Sequence, residues 1–246
     1  MIAETSIRWS VGPSRPELGQ DEIHFWCAHS RQSAETLARL RGLLSEDERA
    51  KAAAFVFEKD QNTSIVARGV LRTLLGMYLR REATEIRFDV MGNDKPVLSH
   101  GEPLYFNVSH SGDKVLLGFT RAGELGVDIE WVREMNDAVQ IAENYFSEAE
   151  KTALRGVPDA LKARAFFNCW SRKEAFIKTH GEGLSRDLAS FDVSLTPGEP
   201  ARLLAVDDSA EKASQWTLDE LDPVSEYAAA YCVAGKPSGI RTYQWL

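Results

Sequence analysis

Between Pro158 and Thr179 apolar residues recur at the spacing of a helix with one face turned inward, and a carboxylate sits inside that face. At roughly 100° per residue, Glu174 falls between Phe167, Trp170 and Ile177, with Lys178 one turn further along nearly the same line. A carboxylate placed there asks for a cation. Upstream, Gly126-Val127-Asp128-Ile129-Glu130 reads as a buried strand whose alternation sends Asp128 and Glu130 out of one face. A lone Asp-x-Glu is more often the wet side of an edge strand, and a Glu-Lys pair four apart is usually a solvent-facing helix stabiliser worth about 0.2–0.5 kcal/mol. The aromatic bracket around Glu174 argues for the inward placement, so three carboxylates and an ammonium are available to one site.

The bulk properties bound the class. With 246 residues, 43% hydrophobic and 27% charged, the chain can bury a substantial core as one large domain or two small ones. It shows no apolar run of about eighteen residues and no basic, apolar and small-residue leader, so a cytoplasmic protein without membrane attachment is expected. Cys27, Cys169 and Cys232 are odd in number and outside any CxxC spacing, which disfavours a disulfide framework and a zinc site. A formal net charge of −8 argues against a nucleic-acid surface but permits a local basic pocket for one phosphorylated ligand.

Residues 1 to 22 carry Gly12, Pro13, Pro16 and Gly19 and read as an irregular leader, followed by a strand from Glu22 to Ala28. Ser45 with Glu48 three places on forms a capping box that starts a helix, and a longer helix over Gln61 to Leu79 carries an apolar stripe through Val66, Val70, Leu74 and Tyr78. From Leu104 the pattern shortens. Strands at Leu104 to His110, Val115 to Thr120 and Leu125 to Val132 read as an antiparallel meander, which would bring His110, Val115 and Glu130 to one end of three neighbouring strands. Helices are expected at Asp137 to Tyr145, Ser147 to Arg155 and Pro158 to Thr179, then strands at Phe191 to Leu195, Ala201 to Ala205, Gln215 to Leu221 and Tyr227 to Val233. The chain is α+β. No internal sequence repeat is visible, yet both halves combine a long helix with antiparallel strands.

The run Gly126 to Glu130, followed by Trp170-Ser171-Arg172-Lys173-Glu174-Ala175-Phe176-Ile177-Lys178, resembles the signatures of the 4′-phosphopantetheinyl transferases of the surfactin-synthetase-activating type. The resemblance extends to Asn93-Asp94-Lys95-Pro96, Phe106-Asn107-Val108-Ser109-His110-Ser111, Phe146-Ser147 with Glu150, and Gly181-Glu182-Gly183-Leu184. It implies two similar halves related by pseudo-two-fold symmetry, each a long helix packed on a small antiparallel sheet, here 1–123 and 124–246, with the metal site in the second half and the active cleft between them. It implies an Mg²⁺-dependent enzyme that moves 4′-phosphopantetheine from coenzyme A to a serine of an acyl or peptidyl carrier protein of fatty-acid or secondary-metabolite synthesis, releasing 3′,5′-ADP. Such a pseudo-dimer needs no second chain to complete its cleft, so a monomer is expected.

The same resemblance assigns roles residue by residue. Asp128, Glu130 and Glu174 would hold the metal against the pyrophosphate, a donor set that suits a hard octahedral ion. Lys178 would contact the bridging phosphate and neutralise or protonate the departing 3′,5′-ADP, while Ser109, His110 and Lys95 would bind the cofactor. Glu174, or Glu150 through water, would take the serine proton. Where the family usually has further basic residues after the Ser-x-x-Glu start, this chain has Glu48, Ala53, Ala54 and Thr63 and keeps Arg49, Lys51 and Arg68, which leaves Lys51 as the candidate for the 3′-phosphate.

Plainer roles stand beside these. Glu150 in a first helical turn is favoured by the helix dipole alone, a loop lysine such as Lys95 is usually just solvated, and Gly181 and Gly183 suit a helix stop. A non-catalytic protein that binds coenzyme A and a carrier is the alternative to the enzyme. An Mg²⁺ nuclease would need a basic face that the composition does not provide. For carrier docking, Met135 is expected to be exposed and Val139 to belong to the core.

Overall fold

The computed structural model describes residues 9–92, 95–101, 103–135, 137–181, 186–222 and 225–246. An irregular start leads through a two-residue strand, β1 (Ser10–Val11), into β2 (Glu22–His29), then three helices, α1 (Ala34–Leu43), α2 (Glu46–Ala53) and α3 (Glu58–Leu79). A hairpin of β3 (Phe88–Met91) and β4 (Lys95–Leu98) follows, then β5 (Tyr105–Ser111) and β6 (Lys114–Thr120). The order then recurs: β7 (Leu125–Trp131), α4 (Ala138–Tyr145), α5 (Glu148–Gly156), α6 (Asp159–His180), a hairpin of β8 (Phe191–Val193) and β9 (Leu203–Val206), the short α7 (Ala210–Ala213), β10 (Trp216–Leu221) and β11 (Tyr227–Ala234). A last strand, β12 (Gly239–Trp245), completes the described chain.

Local sequence explains the matching helices. α2 and α5 both begin with a reciprocal capping box, Ser45 with Glu48 and Ser147 with Glu150, which satisfies amide donors that a helix start leaves open. α3 and α6 are 22 residues each, and both are held by apolar burial rather than by propensity: α3 buries Val66, Val70, Leu71, Leu74 and Leu75, and α6 buries Phe166, Phe167, Cys169, Phe176 and Ile177. The helix α1 was not anticipated. Its one apolar line, Leu37, Leu40 and Leu43, is thin, and Ser33 caps it through the Thr36 amide.

The strands depart from the expected meander. β5 and β6 form the expected antiparallel hairpin, with His110 opposite Val115. β7 does not join them, because the other edge of β6 is already paired with β2. Instead β7 enters a second sheet of order β10-β11-β7, while the first has order β1-β12-β2-β6-β5. Within each sheet the three strands of the recurring unit pair in the same manner, β2-β6-β5 and β7-β11-β10. The first sheet is mixed rather than antiparallel, since β12 crosses from the far end of the sequence to lie parallel to both β2 and β1.

Three apolar clusters hold the fold: one under each long helix and a third between the sheets, where Ile23, Phe25 and Leu116 meet Leu125, Val127, Ile129 and Tyr231. Each such side chain contributes about 1.5–3 kcal/mol on burial, against about 1 kcal/mol net for a hydrogen bond, so this middle layer dominates the joining of the two units. Polar stitching then fixes their register. Asn107, Ser109 and Ser111, alternate residues of β5, accept the amide hydrogens of Val127, Ile129 and Trp131 through their side chains. The partners are 20 residues apart each time, so β5 and β7 run side by side in the same direction without a backbone ladder.

Candidate active site

The seam between β5 and β7 lies under one face of α6. Gly126 lets the helix come that close: a Cβ there would stand 2.0 Å from the carbonyl oxygen of Ala175, an impossible contact for any side chain. With α6 seated in this way, Lys178 reaches across to β7 and donates to Asp128 Oδ1 at 2.5 Å and to Ser109 Oγ at 3.1 Å. Burial disfavours the Lys178 charge, but Asp128 and, more weakly, Glu174 and Glu130 outweigh it and raise its pKa. The ammonium therefore stays protonated.

The carboxylates around it are strained electrostatically. Glu130 accepts from Ser111 Oγ at 2.8 Å, yet burial and the neighbouring Asp128 charge push its pKa up to about 7. Glu174 is likewise raised, by burial first and by Asp128 next, against the pull of Lys178. Asp128 is 2% exposed, and its Oδ2 is buried with no hydrogen-bond partner. Among the described residues no three His, Cys, Asp or Glu side chains are drawn tightly enough together to enclose a metal ion. The donor set nonetheless fits a hard divalent cation: Asp128 repels both Glu130 and Glu174, and its own buried Oδ2 is left without a donor.

Above this cluster opens a cleft of about 430 Å³ with walls from both units. Lys51, Ser64 and Arg68 come from α2 and α3, Lys95 from β4, Asn107 and His110 from β5, and Glu174, Lys178 and Gly181 from α6. The His110 ring faces the cleft, and its pKa is lowered by the surrounding protein and by the Lys178 charge. Glu48 accepts from Arg72 Nε at 2.7 Å and lies 3.4 Å from Arg68 Nε. Glu48, one of the four residues that depart from the family's basic pattern, is thus turned toward these two arginines. Arg68 Nη1 is buried with no hydrogen-bond partner, a donor ready for an anion beside the exposed Lys51.

Asp128, Glu130, Glu174, Lys178, Ser109 and His110 are thus gathered within electrostatic or hydrogen-bonding reach, with Lys51 across the cleft. Glu150 is not among them. It is 2% exposed under α5, where Oε1 pairs with Lys173 Nζ at 2.8 Å and accepts the Val193 amide at 2.8 Å, and Oε2 accepts the Ser147 amide. All of its hydrogen-bonding goes to holding α5, α6 and β8 together, which removes the basis for giving it the serine proton. Lys173 itself, fully buried, also donates to the carbonyl oxygens of Leu188 and Phe191. Asn93, Asp94, Glu182, Gly183 and Leu184 lie outside the described residues. Gly181 ends α6 in the left-handed conformation at φ 67°. The expectations for docking are reversed: Val139 is 67% exposed, and Met135 is half-buried against the second unit's core.

Reasoning from sequence gave Lys173 no role, and it took Ser109 as a cofactor ligand without finding the stitching of β5 to β7 by Asn107, Ser109 and Ser111. The alternation of Asn107, Ser109 and Ser111 was the available signal, three short polar side chains on one face of an otherwise apolar strand.

Comparison with known proteins shows the family. A family model described as the 4′-phosphopantetheinyl transferase superfamily matches residues 124–232, and one described as the amino-terminal part of 4′-phosphopantetheinyl transferase matches residues 29–121. The 4′-phosphopantetheinyl transferase HetI of Nostoc sp. is 35% identical over 92% of this chain and 94% of its own length. The 4′-phosphopantetheinyl transferase psf-1 of Bacillus pumilus is 33% identical over 82% of this chain and 84% of its own, and Sfp of Bacillus subtilis 30% identical over 66% and 71%. Two family models that together run through both units, and relatives matched along most of their length, place the chain in the 4′-phosphopantetheinyl transferase superfamily.

Proposed function

We propose that the cleft between the two units holds coenzyme A and that Lys178, Glu174, Asp128 and Glu130 carry the transfer of its 4′-phosphopantetheine to a serine hydroxyl of a carrier protein. The observation that carries this reading is the half-buried Lys178 ammonium, which meets buried Asp128 at 2.5 Å at the floor of a cleft lined with further cations. The serine oxygen attacks the phosphorus that bears pantetheine, and the bond from that phosphorus to the bridging oxygen breaks. The serine proton passes to Glu174, which lines the cleft beside Lys178. Lys178 neutralises the oxygen that leaves as part of 3′,5′-ADP. Little covalent chemistry is asked of the protein, so positioning and electrostatics supply most of the rate.

Asp128, Glu130 and Glu174 would hold Mg²⁺, which when bound supplies positive charge against the pyrophosphate. Lys51 and Arg68 are suited to the 3′-phosphate, and His110 to the diphosphate side of the cleft. Ser109 serves first as a strut, since its hydroxyl donates to Asp128 Oδ1 at 2.8 Å and accepts from Lys178.

The two units are read here as halves, 1–123 and 124–246, related by a pseudo-two-fold axis. Supporting this, the capping glutamates Glu48 and Glu150 each pair with a cation fourteen residues past the start of the following 22-residue helix, Arg72 from 58 and Lys173 from 159. Each of those cations then donates to two carbonyls beyond its helix, Ala83 and Ile86 or Leu188 and Phe191. A cytoplasmic monomer completes the proposal; no helix among the described residues is long and apolar enough to cross a membrane.

The test is the intact mass of an apo carrier protein incubated with the chain, coenzyme A and Mg²⁺. A gain of one phosphopantetheine on the carrier serine is expected. A chain that binds both partners and leaves the carrier mass unchanged would make it the non-catalytic binder instead.

A further inference from the structure

Lys95 differs from the other basic groups of the cleft in what surrounds its ammonium. The β3–β4 hairpin pairs Met91 with Lys95, and Gly92, next to Met91, is pressed onto the end of α6. Gly92 has a φ of +54°, and a Cβ there would lie 2.2 Å from the carbonyl oxygen of Gly181. The last carbonyls of a helix have no donor within it. Lys95 Nζ donates to two of them, those of Lys178 and Thr179, each at 2.6 Å, and to the carbonyl of Leu125 at 3.2 Å, where β7 begins. A lysine has three N–H donors, so this ammonium is fully engaged with backbone. A cation at a helix carboxy-terminus is also favoured by the dipole. Burial holds the group's pKa down to about 8, with Glu124 acting the other way.

We propose that Lys95 is a positioning residue, which clamps the last turn of α6 to the start of β7 and so fixes where Lys178 and Glu174 stand relative to Asp128, rather than a ligand that holds coenzyme A through its ammonium. One of its acceptors is the carbonyl of Lys178 itself, one residue before another. The hairpin of the first unit thereby sets the spacing of the two elements of the second that carry the site. The inference rests on reading Lys178 as the group that acts on the leaving phosphate.

Lys95→Met keeps the side-chain stem and removes the donors. In the full chain, assayed with coenzyme A and an apo carrier, it should lower kcat on the order of tenfold to a hundredfold. The KM for coenzyme A should stay within about twofold, and amide exchange in the peptide covering residues 174–181 should quicken. Lys95→Arg keeps donors but moves them, and should give an intermediate kcat at the same KM; it decides the matter if Lys95→Met does not fold. A KM raised about tenfold or more at unchanged kcat, with unchanged exchange in that peptide, would make Lys95 a coenzyme A ligand and overturn the clamp. The same assays on Lys178→Ala separate the two failures. Wild-type kcat in Lys178→Ala would overturn the reading of Lys178, whereas a crippled Lys178→Ala beside an unaffected Lys95→Met would overturn the clamp alone.

Discussion

Replacing Glu150 with alanine should unfold this protein more readily while leaving the chemistry of the folded molecules nearly intact. The substitution strands the Lys173 ammonium, which is fully buried, with the Leu188 and Phe191 carbonyls and the face of the Phe191 ring but without its carboxylate. It also removes the acceptor for the Val193 and Ser147 amides. Breaking a buried pair by removing one partner costs about 3–5 kcal/mol, and the two freed amides push the effect toward the upper part of that range. For a chain of this length each kcal/mol moves the melting temperature by roughly 2–4 °C, so a fall of roughly 8–20 °C is expected. The assay pairs thermal unfolding with kcat measured well below the transition, per folded molecule. The double variant Glu150→Gln/Lys173→Met, which removes both charges and keeps the volume, should lose less stability than the sum of the single variants, as coupling across a contact requires. If Glu150 took the serine proton, kcat would drop by about a hundredfold or more. An unchanged melting temperature with such a loss of kcat would refute the structural role argued for this residue.

Three further outcomes are expected. Asp128→Asn should shift the Mg²⁺ activation curve about tenfold or more to higher concentration, because it removes one of the charges that make the carboxylate cluster attractive to a cation; an unmoved curve would take Asp128 out of the metal site. Arg68→Ala and Lys51→Ala should each cut the preference for coenzyme A over its 3′-dephospho form by about tenfold, the worth of one charge-assisted hydrogen bond, and a preference that survives both would place the 3′-phosphate elsewhere. His24 is fully buried, with Nε2 3.7 Å from Glu22 Oε2 but without a hydrogen bond, and burial holds its pKa down to about 4 against the opposing pull of Glu22. The unfolded chain takes up this proton from about pH 6.5 downward and the folded chain does not until about 4. Stability should therefore fall across that window by up to roughly 3 kcal/mol, and His24→Asn should flatten the fall in urea titrations; an equally steep fall would remove His24 as its source.

What could be read from the sequence was what local chemistry decides. Capping boxes at Ser45 and Ser147, the apolar stripe of α3 and the hairpin that sets His110 opposite Val115 all depend on residues a few places apart. β7 could not be placed this way. Its route was decided by β2, nearly a hundred residues upstream, taking the edge of β6 that a meander would have used. The site divides along the same line. Glu174 and Lys178 on one helix and Asp128 and Glu130 on one strand were visible as patterns, but whether a given ammonium faces a ligand or a backbone carbonyl depends on packing between units. Lys95, Lys173 and Lys178 look alike in sequence. The first two spend their donors on carbonyls and a buried carboxylate, and only the third is aimed at the seam. Met135 and Val139 were reversed because α4 turns Ala142 toward the core and leaves Val139 outside, while Met135, in the segment before that helix, packs against the same core.

The strand β12 sets an order of events for the growing chain. Its partner β2 is made early, yet the contact that joins Ser238 to Asp21 spans 217 residues. Until β12 arrives, one edge of β2 presents open amide and carbonyl groups, the kind of template on which chains pair with one another. Contacts so far apart in sequence form late, because a large loop must close before they return anything. The amino-terminal unit, although its own helices and hairpins can assemble as it is synthesised, is sealed only after the carboxy-terminal unit has been made. A chain stopped at residue 235 should therefore be more prone to aggregate and to protease attack along β2 than the full chain, and light scattering with limited proteolysis of that truncation would show it.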